Sequence, residues 1–254
     1  MSESLHDTGQ AENADVIRQY LLAAEGVKDK AGVPINYHCA TVVASLSDLS
    51  SRAFQGKSAV IMPRRLDGDF DGLAVSMNRD IYQGNLRGEL QSTWQRSVGI
   101  APSWLGIEAV RRYATQTELF GQELSTILAD MEFIESLGRT PLLKVYTYDY
   151  DDETVDRPHV DPYTPNYETG ERYTDRFITV YNSKVTRHVS HEDVEPLASL
   201  DSTKTFRLKP GARVGTFHNG DIWRQACGDG GGVKPFIHWS ATEYGDEPKL
   251  ILTG

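Results

Sequence analysis

The segment RPHVDP, residues 157–162, places an imidazole and a carboxylate two positions apart, at His159 and Asp161. In extended chain, alternate side chains leave the same face, so both groups can reach one metal ion from adjacent coordination positions. The triplet follows a predicted strand over 142–150 and precedes a polar loop. A third candidate ligand, His238, lies 77 residues after Asp161 in the strand-like run FIHWSA. Two imidazoles and one carboxylate, leaving one octahedral face open, suit iron(II) and its oxygen chemistry. Zinc sites more often carry cysteines or a third histidine. His218, in the run RVGTFHNGDIW, is the rival for the distal position, 57 residues after Asp161.

Lys249 stands eleven residues after His238, at the start of the final strand-like run KLILT. An H-x-D pair, a distal histidine and a basic residue at this offset together resemble the iron(II)/2-oxoglutarate-dependent oxygenases. The resemblance covers roughly Leu142 to Gly254, and it implies a double-stranded β-helix (jelly-roll, cupin-like) core. It further implies that His159, Asp161 and His238 ligate Fe(II), with dioxygen and 2-oxoglutarate as co-substrates. Lys249 would then pair with the distal carboxylate of 2-oxoglutarate. The family's commoner clamp is an arginine followed two residues later by Ser or Thr; a lysine meets the carboxylate as a point charge instead of a fork. Tyr146, Tyr148 and Tyr150 alternate along one predicted strand, and Tyr148 is the hydroxyl that the resemblance places on 2-oxoglutarate. Arg157 and Arg224 are candidates to bind an anionic group of substrate or co-substrate. Family halogenases replace the carboxylate ligand with a small residue, so Asp161 points to hydroxylation, desaturation or ring formation. Two other readings compete: a cupin-type metalloenzyme that does not use 2-oxoglutarate, and a non-catalytic binding module on the same barrel.

These residues need elements to hold them. The sequence predicts a disordered stretch over 1–12 and a helix over 14–27, ended by Gly26. A second helix is predicted over 42–54, and the run SAVIM at 58–62 reads as a strand. Apolar residues from Leu105 to Leu137 recur at three- and four-residue steps, which predicts helix, with Gly121 as a dividing point. After Gly138 the texture changes to short runs rich in β-branched and aromatic residues, separated by turn formers. The expected fold is therefore α+β, one domain over 13–254: a mainly helical support over 13–138 packed on a β-helix core over 139–254. The charge pattern of HVSHED, around His188 and His191, reads as an exposed loop. His38 and Cys39 show no third ligand nearby in sequence and read as structural. The loop over 162–175, rich in tyrosine and turn formers, is a candidate lid over the metal face.

Composition narrows the partners. Hydrophobic residues make up 39% and charged residues 24% of 254 residues, ordinary values for a globular protein. The formal net charge is −10, with Lys and Arg scattered, so there is no basic footprint for nucleic acid. No apolar run approaches membrane-spanning length, and the polar, acidic N-terminus does not read as a secretory signal. Two cysteines supply no disulfide framework. The expectation is a cytoplasmic protein acting on a small molecule, a metabolite, amino-acid derivative or natural-product intermediate, with no membrane partner.

Overall fold

The computed structural model describes residues 37–86, 103–146, 157–165, 172–182, 186–197, 204–228, 232–240 and 248–254. The stretches read as disorder (1–12) and helix (14–27), together with Tyr148, Tyr150 and the centre of the predicted lid (166–171), lie outside these residues. The fold is α+β and rich in sheet. A seven-stranded sheet runs in the order β1 (Ala40–Val42), β2 (Ala59–Met62), β13 (Ile222–Ala226), β8 (Asp175–Val180), β15 (Lys249–Thr253), β4 (Leu142–Tyr146) and β3 (Ser103–Gly106). A four-stranded sheet runs β12 (Val214–Phe217), β9 (Thr186–Val189), β14 (Ile237–Ser240) and β5 (His159–Val160). Within both, every pairing is antiparallel except β1 with β2.

The two-residue period of each strand divides its side chains between two faces. On β8, Ile178 and Val180 join a cluster with Phe217, Trp223 and Phe236, which fills the space between the sheets. Phe177 on the same strand points the other way, into a cluster with the helices, as do Leu250 and Leu252 of β15. The outer face of the small sheet carries Val160, Val189, Ile237 and Trp239. It is covered by a hairpin of β10 (Val194–Pro196) and β11 (Phe206–Leu208).

The described α-helices are α1 (Leu46–Ser51), α2 (Phe70–Tyr82), α3 (Ile107–Gln116) and α4 (Gly121–Ser136). Serine and aspartate start the first two: Ser45 Oγ accepts from the Asp48 amide, and Asp69 accepts from the Gly72 amide. On α4, Leu124, Ile127, Met131 and Ile134 recur at helical spacing and are fully buried, each contributing about 1.5–3 kcal/mol by burial. Asp130 on the same helix is also buried. It is held by both terminal nitrogens of Arg64, with Nη1 to Oδ1 at 2.6 Å, and by the Tyr181 hydroxyl at 2.6 Å. Among the described residues no helix is long and apolar enough to cross a membrane.

The first half of the chain departs from the helical expectation. Its described residues contribute three strands, β1, β2 and β3, to the large sheet as well as the four described α-helices. Val42, predicted to open a helix, is instead paired with Ile61, and the helix starts only after the Ser45 cap. The stretch predicted as helix from Leu105 begins inside β3, because Leu105 is in register with Leu143 of β4. Farther on, the two helices part at Phe120, whose left-handed backbone (φ 62°) no continuous helix could accept. The predicted strand SAVIM is present as β2. The segment 162–175 is closed at its base by β6 (Thr164–Pro165) pairing with β7 (Arg172–Tyr173).

Candidate metal centre

β5 is only two residues long, but its position is fixed by register: His159 pairs with His238 of β14. Val160 points outward into the apolar cluster, so His159 and Asp161 point inward, as alternation requires. The two imidazole rings lie 4.7 Å apart between centroids, and His238 Nε2 is 3.7 Å from Asp161 Oδ2. One ligand atom from each of His159, Asp161 and His238 lies within 4.8 Å of the other two, so this group could hold a metal ion. The structure thus brings together the three residues whose types and spacing suggested ligation.

Their orientation is set by neighbours. His159 Nδ1 donates to the Arg157 carbonyl at 2.9 Å, and His238 Nδ1 makes a longer contact of 3.4 Å with the Phe236 carbonyl. A carbonyl only accepts, so each proton sits on Nδ1 and each Nε2 keeps its lone pair for a metal. Asp161 Oδ2 accepts from Arg176 Nη1 at 2.9 Å and from Gln225 Nε2 at 2.7 Å, both reaching across from the large sheet. Outer hydrogen bonds of this kind are what orient metal ligands.

The electrostatics favour the same protonation states. Burial pushes the His238 imidazole down to about 4, so it is neutral and its contact with Asp161 is not an ion pair. Burial would raise the Asp161 carboxyl, but Arg176 foremost, then the two histidines and Lys144, hold it below its ordinary value. Lys144, facing the same space from β4, is itself pushed down to about 8 by burial. Behind the triplet, the Gly228 amide donates to the Asp161 carbonyl at 3.1 Å. A Cβ at Gly228 would stand 2.7 Å from the Tyr163 ring, and the backbone there is left-handed (φ 58°), so this glycine is required.

The other candidates fall in different places. Lys249 is the first residue of β15, 3% exposed, and shares its face with Ile251, which packs into the cluster between the sheets. The Arg157 side chain is exposed; its carbonyl is what touches His159. Tyr148 lies outside the described residues. Arg224 faces away from the inter-sheet space and donates to the Ser50 and Arg52 carbonyls, clamping the end of α1 to β13. His218 is not with the triad; it borders a polar cleft of about 330 Å³ that includes Arg65, Asp71, Asn182 and Asn219. HVSHED is not an exposed loop. His188 is fully buried at the centre of β9, paired with His238, and only Glu192 in the following turn is well exposed. Nor is His38 without partners, since it meets Cys39 and His188 in a second cluster of ligand type. Gln225 and Arg176 escaped the sequence reading: Arg176 opens the strand-like run RFITVYN, whereas the strand that carries Gln225, β13, was not itself predicted. Compared with known proteins, the chain matches no protein-family model and no curated protein.

Proposed function

We propose that the chain is an iron(II)- and 2-oxoglutarate-dependent oxygenase that hydroxylates, desaturates or cyclises a small molecule. The observation that carries this reading is the convergence of His159, Asp161 and His238 on one point between two sheets, with both imidazoles oriented by backbone carbonyls. A third histidine or a thiolate is missing from this group, and two nitrogens with one carboxylate oxygen is the donor set that suits iron(II). The strand order supports the double-stranded β-helix reading. From β4 onward the chain crosses between the sheets: large at β4, small at β5, large at β8, small at β9 and β12, large at β13, small at β14 and large at β15. Double-sheet jelly rolls are built by such crossing.

When bound, iron(II) and 2-oxoglutarate would supply the redox chemistry: dioxygen is the oxidant, and oxidation of 2-oxoglutarate to succinate and carbon dioxide supplies two of the electrons that reduce it. The residues of the chain position and shield. Gln225 and Arg176 hold the Asp161 carboxylate in place, and the apolar inter-sheet wall excludes water from the reacting face. Lys249, buried on that wall, would meet the distal carboxylate of 2-oxoglutarate as a compact charge. The test is succinate release under air from purified protein given 2-oxoglutarate, with and without iron(II). Iron-dependent succinate, lost in Asp161→Ala, supports the reading. Iron bound at the triad with no succinate would shift it to the cupin-type enzyme, and no metal at the triad to a binding module.

A further inference from the structure

We infer that His38, Cys39 and His188 form a second metal site, for a zinc ion, that ties the edge of the large sheet to the centre of the small one. One ligand atom from each of the three lies within 4.8 Å of the others. Donors on a tetrahedral zinc stand roughly 3.4–3.6 Å apart, by the usual zinc–nitrogen and zinc–sulfur lengths. Closing the gap therefore takes movements of little more than an ångström, which side-chain rotation supplies.

The ligands come from a built frame. Residues 37–40 form a tight turn, closed by the Ala40 amide donating to the Tyr37 carbonyl at 2.9 Å, with His38 and Cys39 at its centre. Lys57 Nζ donates to the His38 carbonyl at 2.7 Å, and the Ser58 amide to the Cys39 carbonyl at 3.2 Å. The Tyr37 hydroxyl donates to Asp221 at 3.1 Å, which fixes the turn from the other side. Opposite it, fully buried His188 presents its ring 5.1 Å from that of His38, walled by Phe217 at 4.5 Å and Phe236 at 5.6 Å.

The donor set differs from that of the triad. A thiolate and two imidazoles suit borderline-soft zinc, whereas the hard carboxylate of Asp161 suits iron. Burial raises the Cys39 thiol to about 12, a cost that zinc binding has to overcome; of the nearby charges, Lys57 and Arg213 favour the thiolate and Asp193 favours the cation. On binding, zinc displaces the Cys39 proton to solvent, and a fourth position is left for water. Such a link joins β1, the edge strand, to β9, whose neighbour β14 carries His238.

The test is titration of full-length, chelator-stripped protein with cobalt(II), read by thiolate-to-cobalt charge-transfer absorption and by the unfolding midpoint. The expected band is present in the parent protein and, in Asp161→Ala, where the triad no longer competes, saturates at one equivalent and is bleached by one equivalent of zinc(II). It survives in Asp161→Ala, so failure at the triad does not mask it, and it is absent in Cys39→Ser. His38→Gln, at the less buried imidazole ligand, weakens binding by more than the roughly 10–100-fold that loss of an outer partner costs. It also loses the rise in midpoint that zinc gives the parent. No band in the parent protein, or a band that survives Cys39→Ser and vanishes in Cys227→Ser, overturns the site and leaves the histidines as aromatic packing.

Discussion

Arg176 Nη1 stands 2.9 Å from Oδ2 of Asp161, so a cation from the large sheet braces the only carboxylate of the candidate metal centre. The contact does two opposing things. It orients the carboxylate and keeps it ionised, and it also places a positive charge beside the position a metal cation would occupy. Gln225 reaches the same oxygen at 2.7 Å and orients it without charge.

Gln225→Leu therefore isolates orientation from electrostatics. The variant is expected to bind iron(II) about 10–100-fold more weakly, in the range for loss of an outer-shell partner. Isothermal titration or competition with a chromogenic chelator measures this. Unchanged affinity would mean that Arg176 alone sets the carboxylate.

The ligands themselves make a sharper contrast. His159→Ala, Asp161→Ala and His238→Ala are each expected to abolish iron binding or turnover, because each removes one of three converging donors. His218→Ala should retain both, since its ring borders the polar cleft and its backbone amide, not its ring, bonds Asp221 at 2.8 Å. Metal content and succinate yield are the readouts. A dead His218→Ala beside an active His238→Ala would refute the ligand set.

Much of that set was legible because two periods agree. The two-residue step from His159 to Asp161 brings both side chains to one site although β5 ends at Val160, and His238 sits inside an apolar run that forms β14. What hid was whatever depends on a distant neighbour. Gln225 and Arg176 are ordinary polar residues in strands until the two sheets face each other. His188 was masked by the polar flanks of HVSHED, although Thr186 and His188 alternate inward as strand residues do. The strand at Ala40–Val42 was hidden by Val43, Leu46 and Leu49, whose spacing mimics a helix. Pairing with β2 outweighed that local pattern.

Lys249 offers a test of the co-substrate. If its ammonium meets the distal carboxylate of 2-oxoglutarate, Lys249→Ala raises the co-substrate requirement by one to two orders of magnitude. That is about 1.4–2.8 kcal/mol, as expected for a lost charge-assisted contact. Iron affinity should stay unchanged, since Lys249 is not among the converging donors. Lys249→Arg is not expected to rescue, because a planar fork needs different room on a wall where the lysine is 3% exposed. The same 2-oxoglutarate requirement in Lys249→Ala and the parent would favour the cupin-type enzyme.

Asp221 predicts a stability profile opposite to that of most carboxylates. Burial pushes its carboxyl up to about 7, against the pull of the His218 and Arg64 amides, the Tyr37 hydroxyl and the Arg64 charge. The ordinary value is 3.8. Between those two points the folded protein holds a proton that the unfolded chain has released. The native state thus binds more protons, and this group's contribution to stability falls as pH rises through the window, by at most about 1.4 kcal/mol per pH unit. Below the window both states are protonated and the contribution is whole; above it both are ionised and the loss is complete. Asp221→Asn removes the titration. Its amide nitrogen replaces one acceptor, toward the His218 amide or the Arg64 amide, which costs about 1–3 kcal/mol at pH 5. Urea unfolding at pH 5, 6 and 7.5 should then show the gap between parent and variant narrowing as pH rises. A gap that stays constant, or widens, would mean that Asp221 is already ionised in the folded protein at pH 5.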